Sequence, residues 1–251
     1  MARKEKDLYG LIGRKLGHSF SCGYFNRKFE SECIDAEYLN FEIDTIEELP
    51  ALLAAHPALK GLNVTIPYKQ DIMRYLDEVD PEAAKIGAVN VVSIRRKDGH
   101  PYLKGFNSDV VGFVNSIKPL LRPLHLGALV LGTGGASKAV ARGLESLGLH
   151  VRFVSRTPRE GVLTYADLSP AVMTTHTVVV NTTPLGMYPD VDACPPIPYD
   201  LLTSDHLCYD LIYNPDNTKF MREAALRGAV TKNGLEMLLL QAFESWLMWQ
   251  R

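Results

Sequence analysis

A glycine-rich turn is the first segment of the sequence whose residue types could do chemistry. An apolar run over residues 128–131 is typical of a buried strand, and the apolar spacing after Ser137 predicts a helix. Glycines let the backbone approach a pyrophosphate, and the unpaired N–H groups of a helix start attract its charge. The turn residues with this candidate role are Gly132, Gly134, Gly135 and Ala136. Because Ser137 stands where the usual pattern has glycine or alanine, the turn alone also fits an ordinary loop.

The segment about 20 residues further on decides which dinucleotide such a turn would bind. It reads Ser155, Arg156, Thr157, Pro158 and Arg159. An acidic residue there would accept a hydrogen bond from the ribose 2′-hydroxyl of NAD, but it would repel the 2′-phosphate of NADP, and the segment has none. Arg156 can lie on the adenine and pair with that phosphate, while Ser155, Thr157 and Arg159 add donors. The segment favours NADP over NAD, the alternative being that Arg156 is a solvated surface arginine.

A lysine and an aspartate could handle a proton. Lys69 follows Pro67, and the sequence predicts it at a helix start. Partly desolvated there, its ammonium group could hold a proton for an alkoxide that develops as a carbonyl is reduced. Asp109 is predicted at the start of the next long helix, where it could pair with Lys69 and accept from a substrate hydroxyl. Taken singly, the two also fit a surface lysine and a helix N-cap.

Seven segments, in order along the chain, together resemble the shikimate dehydrogenase family. They are residues 18–21, 63–69, 88–90, 107–110, 132–136, 155–157 and 234–241. The family has at these places Ser-x-Ser, Asn-Val-Thr-x-Pro-x-Lys, Ala-Val-Asn, Asn-Thr-Asp-Gly, Gly-x-Gly-Gly-Ala, Asn-Arg-Thr and Gly-Leu-x-Met-Leu-x-x-Gln. The resemblance covers nearly the whole chain, and residues 63–69 are highly specific to it.

The resemblance implies a role for each matching residue. Lys69 and Asp109 match the catalytic pair, and the sequence leaves open which of them carries the proton. The residues that match carboxylate-binding hydroxyls of the family are Ser19, Ser21, Thr65 and Tyr213. Asn90 and Gln241 match amides that bind ring hydroxyls, since an amide both donates and accepts. The further residues expected around the cofactor, most of them at its nicotinamide, are Thr183, Met187, Leu211 and Gly234, together with Tyr213.

The sequence departs from the family pattern at two places. Cys22, Phe25 and Asn26 stand where the family usually has proline and then His-Asn, and Val110 replaces the glycine after the aspartate. Cys22 is interpreted as a small buried thiol rather than a nucleophile, because no partner motif accompanies it. No chemistry is assigned to His18, whose expected role is to orient a loop, and no metal site is predicted.

Strand-like and helical runs alternate over residues 8–65 and predict a parallel α/β sheet. A hairpin over residues 89–104, with Asp98 and Gly99 at its turn, would close this first domain. A helix from Ser108 leads into a second α/β series from Gly127, and the apolar helix over residues 235–249 is expected to return to the first domain. The predicted fold class is two-domain α/β. Residues 1–106 and 232–251 would form an α/β substrate domain, and residues 107–231 a Rossmann-like NADP domain.

The composition excludes several classes of protein. Of 251 residues, 46% are hydrophobic and 22% charged, which is typical of a globular chain, and the net charge of −2 argues against nucleic acid or anionic membrane as a partner. Four cysteines without Cys-x-x-Cys spacing are expected to be reduced thiols in the cytoplasm. Neither a signal peptide nor a membrane-spanning helix is predicted. The partner is a small-molecule substrate, and monomer and homodimer both remain open.

The resemblance and the residues together predict an NADP-dependent oxidoreductase acting on a CH–OH group, which reversibly reduces 3-dehydroshikimate to shikimate in chorismate and aromatic amino-acid biosynthesis. One alternative, a quinate/shikimate dehydrogenase with broader use of NAD and NADP, is disfavoured because residues 155–159 lack an acid. A second alternative is a non-catalytic regulator that senses NADPH or a metabolite. Such a regulator should have lost Lys69 or Asp109, and the sequence retains both. A third alternative is an NADP enzyme that acts on folate or an aldehyde, and it does not account for the paired serines Ser19 and Ser21.

Overall fold

The computed structural model describes residues 6–17 and 19–251. The strands are β1 (Asp7–Gly13), β2 (Ala36–Glu42), β3 (Leu59–Val64), β4 (Glu78–Val79), β5 (Val91–Lys97), β6 (His100–Phe106), β7 (Gly127–Leu131), β8 (His150–Ser155), β9 (Leu163–Thr164), β10 (Val178–Asn181), β11 (Leu207–Asp210) and β12 (Val230–Lys232). The helices are α1 (Phe20–Ser31), α2 (Leu49–Ala55), α3 (Pro81–Ile86), α4 (Asp109–Ile117), α5 (Gly135–Ser146), α6 (Pro170–Thr175), α7 (Lys219–Leu226) and α8 (Leu235–Gln250). His18 and residues 1–5, where a signal peptide would begin, lie outside the described residues.

The chain divides into two compact units. The first runs from the start of the described chain to Ser108 and includes Ala242–Arg251, and the second is Asp109–Gln241. The sequence placed the divisions after residues 106 and 231. The difference at the second division arises because α8 is one continuous helix that contributes its first turns to the second unit and its remainder to the first.

The sheet of the first unit is mixed, in the order β2-β1-β3-β5-β6-β4. β1 pairs with β2 and β3 in parallel, as the alternating pattern predicts, but β5 is antiparallel to both β3 and β6. The sheet is mixed because the hairpin enters it beside β3. The hairpin itself is confirmed. Asp98 and Gly99 form its turn with φ of +52° and +81°, the left-handed conformations that a two-residue hairpin turn requires.

The second unit contains a six-stranded parallel sheet in the order β12-β11-β10-β7-β8-β9. Its central strands are buried, which explains their uninterrupted valine, leucine and alanine runs. The α/β fold with two domains is thus confirmed. In a parallel sheet all carboxyl ends lie at one edge, so the loops after β7, β8, β10 and β11 open on the same side.

The end of α8 packs on the first unit, as the sequence predicts. The indole N–H of Trp249 donates to the Val92 carbonyl at 3.1 Å. A Cβ at Gly61 would collide with the Trp249 ring, so the missing side chain on β3 is what admits it. Tyr9 and Phe25 pack against the same ring. Among the described helices, none combines the length and apolar character that a membrane crossing requires.

Candidate active site

Three substrate candidates of the first unit lie at one edge of its sheet. Thr65 and Lys69 follow the carboxyl end of β3, and Asn90 immediately precedes β5. Because β5 is antiparallel to β3, the end of one strand meets the start of the other, and the Val64 amide donates to the Asn90 carbonyl at 2.9 Å. The fold therefore brings these three candidates together.

Lys69 lies in a turn rather than at a helix start. The turn over residues 66–70 leads into a short 3-10 helix, Asp71–Tyr75, so the predicted helix is wrong at this point. Within this turn Tyr68 is buried, and its hydroxyl donates to the Ile43 carbonyl at 2.7 Å. The Lys69 carbonyl accepts from the Val89 amide at 2.7 Å. The main chain around the half-buried lysine is thus fixed by contacts with two other segments.

The two serines lie at the start of α1, which begins at Phe20. Ser19 is the N-cap, and its Oγ accepts from the Cys22 amide at 3.3 Å. This bond is the capping role expected of a serine at this position, and it places Ser21 in the first turn. A helix start also attracts anions, so capping is compatible with binding a carboxylate here.

A buried network of neutral groups orients Asn90. Its Oδ1 accepts from the Ser108 amide at 2.7 Å, and its Nδ2 donates to Ser108 Oγ at 3.0 Å. Ser108 Oγ lies 3.1 Å from Ser245 Oγ, to which Asn63 Nδ2 donates at 3.0 Å. The Tyr38 hydroxyl donates to Asn63 Oδ1 at 2.9 Å. Burial raises the pKa of Tyr38 well above its ordinary value, so this hydroxyl stays neutral. We call these five residues the neutral network.

In the second unit the glycine turn has room for an anion. Gly132 follows β7 with φ of +108°, and a Cβ there would lie 2.8 Å from Thr182 Oγ1, so only glycine fits. Gly134 is the N-cap of α5 and makes no side-chain capping bond. A Cβ at Gly134 or Gly135 would meet nothing within 4 Å. The start of α5 therefore offers its N–H groups to open space, as a pyrophosphate site requires.

Ser137 explains how the turn tolerates its departure from the usual pattern. Its Oγ donates to the Gly134 carbonyl at 2.6 Å, and the whole residue is buried. With its hydroxyl satisfied locally, Ser137 fills the position of a small residue. Ala136, beside it in the first turn of α5, is half-buried.

The predicted 2′-phosphate residues follow β8, the neighbour of β7. Arg156, Thr157 and Arg159 are exposed, and Ser155 Oγ accepts from the Thr157 amide at 3.2 Å. Arg159 extends to the glycine turn and donates to Thr133 Oγ1 at 3.5 Å. Two exposed guanidinium groups beside an open, uncapped helix start fit NADP, whose charge is carried by a pyrophosphate and a 2′-phosphate.

The carboxyl ends of β10 and β11 meet around a buried aspartate. Asp210 Oδ1 accepts from Asn181 Nδ2 at 3.0 Å and from the Ile212 amide at 3.1 Å, and Oδ2 accepts from Thr218 Oγ1 at 2.6 Å. Asn181 Oδ1 in turn accepts from the N–H and the hydroxyl of Thr183 at 3.0 and 2.7 Å. Burial raises the pKa of Asp210 to about 6, although these hydrogen bonds act to lower it. We call Asp210 with Asn181, Ile212 and Thr218 the aspartate cluster.

The remaining cofactor candidates lie on the loops after these two strands. Met187 and Tyr213 are exposed, and Leu211, the first residue after β11, is half-buried. The Gly234 amide donates to the Ile212 carbonyl, and a Cβ on Gly234 would collide with the Leu211 carbonyl. Glycine is therefore needed for the chain before α8 to approach the loop after β11.

Two further candidates lie on helices of the second unit. Asp109 is buried in the first turn of α4, as predicted. Gln241, on α8, is half-buried and donates to the Leu238 carbonyl at 3.0 Å. A Cβ at Gly112 of α4 would lie 2.9 Å from the Gln241 amide nitrogen, so this glycine allows the two helices their close contact. The pairing of Lys69 with Asp109 stays a prediction.

Sequence reasoning assigned no role to Asn63, Ser108, Asn181 or Asp210, and it did not single out Ser245. One signal was present for Asn63, Asn181 and Asp210, since each is a polar residue that stands next to or closes an apolar strand run. A polar group in that position is buried with its strand and must find hydrogen-bond partners there.

Comparison with known proteins identifies the family. A family profile described as the shikimate dehydrogenase substrate binding domain matches residues 11–92. The NADP-dependent shikimate dehydrogenase of Desulforamulus reducens is 37% identical, over 94% of this chain and 88% of its own. The shikimate dehydrogenase structure from Aquifex aeolicus gives a TM-score of 0.84 at 35% identity, covering 99% of this chain and 94% of that one. The Thermus thermophilus structure in complex with NADP(H) and shikimate gives 0.83 at 33% identity, covering 96% and 92%. Since these likenesses run through both units, the chain belongs to the shikimate dehydrogenase family.

Proposed function

We propose that the protein interconverts 3-dehydroshikimate and shikimate with NADP(H), a step of chorismate and aromatic amino-acid biosynthesis. The likeness to shikimate dehydrogenases over nearly the whole chain is the observation that carries this proposal. NADPH supplies a hydride to the carbonyl carbon in reduction, and NADP+ accepts it in oxidation. NADP is assigned to the second unit, and the substrate to the first unit together with Asp109, Tyr213 and Gln241 of the second.

Lys69 and Asp109 are the proposed catalytic pair. As the carbonyl carbon gains a hydride its oxygen must gain a proton, so a proton donor is needed within reach of that oxygen. The Lys69 ammonium group donates this proton, and the amine takes it back in the oxidation of shikimate. The Asp109 carboxylate stabilises the ammonium and accepts from a substrate hydroxyl. The main-chain contacts that fix the Lys69 turn support this role, because a proton donor must be held in place.

The other candidates divide by the group they would bind. The substrate carboxylate is assigned to the hydroxyls of Ser19, Ser21, Thr65 and Tyr213, and the ring hydroxyls to the amides of Asn90 and Gln241. The NADP pyrophosphate is assigned to Gly132, Gly134, Gly135 and Ala136, and its 2′-phosphate to Ser155, Arg156, Thr157 and Arg159. The nicotinamide is assigned to Thr183, Met187, Leu211 and Gly234. The orientation of Asn90 by the neutral network supports its assignment, since a fixed amide distinguishes a donor from an acceptor.

The direct test mixes purified protein with shikimate and either NADP+ or NAD+ and follows the near-ultraviolet absorbance of the reduced nicotinamide. Turnover with NADP+ and much weaker turnover with NAD+ is the expected result. Comparable turnover with NAD+, or turnover of quinate at the rate of shikimate, would favour the broader quinate/shikimate dehydrogenase instead. Binding of NADPH without any turnover would identify a regulator.

A cytoplasmic location is part of the same proposal. All four cysteines are unpaired thiols, which supports a reducing compartment. Subcellular fractionation of the source cells with an antibody to the protein would test it.

A further inference from the structure

Asp210 carries a buried charge that the proposed chemistry does not use. Its side chain has no exposed surface, and its three hydrogen-bond partners are all neutral. Burying a carboxylate without a cation costs free energy, and its pKa of about 6 leaves it mostly ionised at neutral pH. A charge kept at such a cost in a parallel-sheet core calls for a role other than stability.

The hydrogen bonds of Asp210 join two loops at the carboxyl edge of the sheet. Asn181 begins the loop over residues 181–187 and holds Thr183 through two hydrogen bonds. Ile212 belongs to the loop over residues 211–218, which also carries Tyr213. Thr218 ends that loop as the N-cap of α7, where its Oγ also accepts from the Met221 amide at 3.3 Å. One carboxylate thus fixes both loops to which we assign the nicotinamide.

We propose that Asp210 is a positioning residue that sets the place of the nicotinamide half of NADP by fixing the loops over residues 181–187 and 211–218. The inference rests on the proposed function, because the roles of Thr183, Met187 and Leu211 belong to that proposal. Asp210 itself touches neither reactant in this account, and it acts through Asn181 and Ile212.

The ionised carboxylate accepts from all three partners at once in this arrangement. Each partner donates, and the carboxylate accepts through both of its oxygens. In Asp210→Asn one oxygen becomes an NH2 group, and the size of the side chain is unchanged. Facing Asn181 and Ile212, this group meets two donors; facing Thr218, it donates to the hydroxyl oxygen and leaves the hydroxyl hydrogen without its buried acceptor. Either placement changes the hydrogen bonds that hold one of the loops.

The test separates the two halves of the cofactor by isothermal titration calorimetry. In Asp210→Asn we expect the Kd of NADP+ to rise about tenfold or more, the loss expected for a hydrogen bond to a charged group. The Kd of adenosine 2′,5′-bisphosphate, which lacks the nicotinamide, should change less than about twofold, since its groups are assigned to other loops. Arg156→Asp, in contrast, should raise the Kd values of both ligands.

The matched control is Ser116→Ala, which removes a buried hydroxyl that lies 2.7 Å from the hydroxyl of Tyr209, the strand neighbour of Asp210. It should lower the melting temperature and leave both Kd values unchanged. Thr218→Val and Thr218→Ser give a second route if Asp210→Asn does not fold. Thr218→Val removes the donor to Oδ2 and should raise the Kd of NADP+ but not that of the bisphosphate. Thr218→Ser keeps the hydroxyl and should bind both ligands as the wild type does.

Two results would overturn the inference. One is a folded Asp210→Asn or Thr218→Val protein that binds NADP+ as tightly as the wild type. The other is equal weakening of NADP+ and the bisphosphate, which would indicate general damage to the unit. If wild-type protein binds NADP+ but turns over no shikimate, the proposed function fails while the ratio of Kd values still decides the role of Asp210. If it binds no NADP+, both fail.

Discussion

The two units solve the same structural problem with different chemistry. Each must hold polar loop residues at the edge of a buried sheet. In the first unit the described hydrogen bonds link the amides and hydroxyls of Tyr38, Asn63, Ser245, Ser108 and Asn90. In the second, the loops converge on an ionisable carboxylate with neutral partners. Neutral groups lose less on burial than a charge does, so the neutral network is the less costly support.

The two units differ in whether the ionisable group is the buried support or a residue proposed to act on the ligand. In the first unit the buried support carries no charge, and the ionisable group among the predicted substrate residues is Lys69, which is half-buried and placed on a turn. In the second unit the buried support itself is ionisable, and the proposed cofactor arginines are on the surface. We therefore expect changes at Lys69 to act on kcat and changes in the neutral network to act on pH-independent stability, whereas changes at Arg156 act on cofactor affinity and changes at Asp210 also on pH-dependent stability.

The largest expected effect is that of Lys69→Met. Removing the proposed proton donor should lower kcat by about 10² to 10⁴ while the Kd values of shikimate and NADP+ change far less. Steady-state kinetics with both substrates, together with calorimetric Kd values, provides the measurement. A variant with wild-type kcat would remove Lys69 from the chemistry and leave the first unit without an ionisable group in its proposed role.

The next effect concerns the pH dependence of stability through Asp210. Its pKa is about 6 in the folded protein against 3.8 as the ordinary value, so the folded state holds a proton more tightly than the unfolded state does. The stabilisation from this proton is present at low pH and is lost as the pH rises from about 4 to about 6. Relative to Asp210→Asn, the wild-type free energy of unfolding should fall by roughly 2–3 kcal/mol between about pH 4 and about pH 8.

Denaturant unfolding of both proteins at several pH values measures this change. Ser116→Ala serves as the control, because it alters no ionisable carboxylate and its difference from wild type should not vary over the range. If the difference in unfolding free energy between wild type and Asp210→Asn is also independent of pH, the carboxylate of Asp210 titrates as an exposed one does. The proposed contrast between the neutral network and Asp210 would then be wrong.

Arg156→Asp tests the surface charge of the second unit. Replacing the guanidinium with a carboxylate removes a charge-assisted contact and adds repulsion. This change should make the binding free energy of NADP+ less favourable by about 2 kcal/mol. NAD+ has no 2′-phosphate, so its Kd should change much less. Calorimetric titration of both dinucleotides gives the comparison, and an unchanged Kd for NADP+ would show that Arg156 does not bind its 2′-phosphate.

The features that the sequence could predict are those determined by neighbouring residues. Asp98 and Gly99 adopt the hairpin turn that their types indicate, and Gly132 and Gly134 form the turn expected before α5. The bond between Asn63 and Ser245 joins residues 182 positions apart, so no local pattern contains it. The same limit applies to Lys69, since the turn that carries it also contains the buried Tyr68, whose hydroxyl donates to the carbonyl of Ile43 in another segment.

The end of β11 shows a second limit of local patterns. Apolar residues continue past Asp210 through Leu211 and Ile212, so the apolar run by itself predicts a strand that extends to Tyr213. The strand ends at Asp210, whose carboxylate accepts from the Ile212 amide two residues further on. The residue that ends the strand is thus the one whose role the sequence did not reveal.

The smallest expected effect is that of Ser245→Ala on the neutral network. The change removes the hydroxyl that accepts from Asn63 and contacts Ser108, so both are left with one partner fewer in a buried site. The free energy of unfolding should fall by about 1–2 kcal/mol. The same loss is expected at about pH 5 and about pH 8, because none of the five groups changes its charge between these values. A loss that varies with pH would show that the network is coupled to an ionising group, and the proposed contrast between a neutral and a charged support would then be wrong.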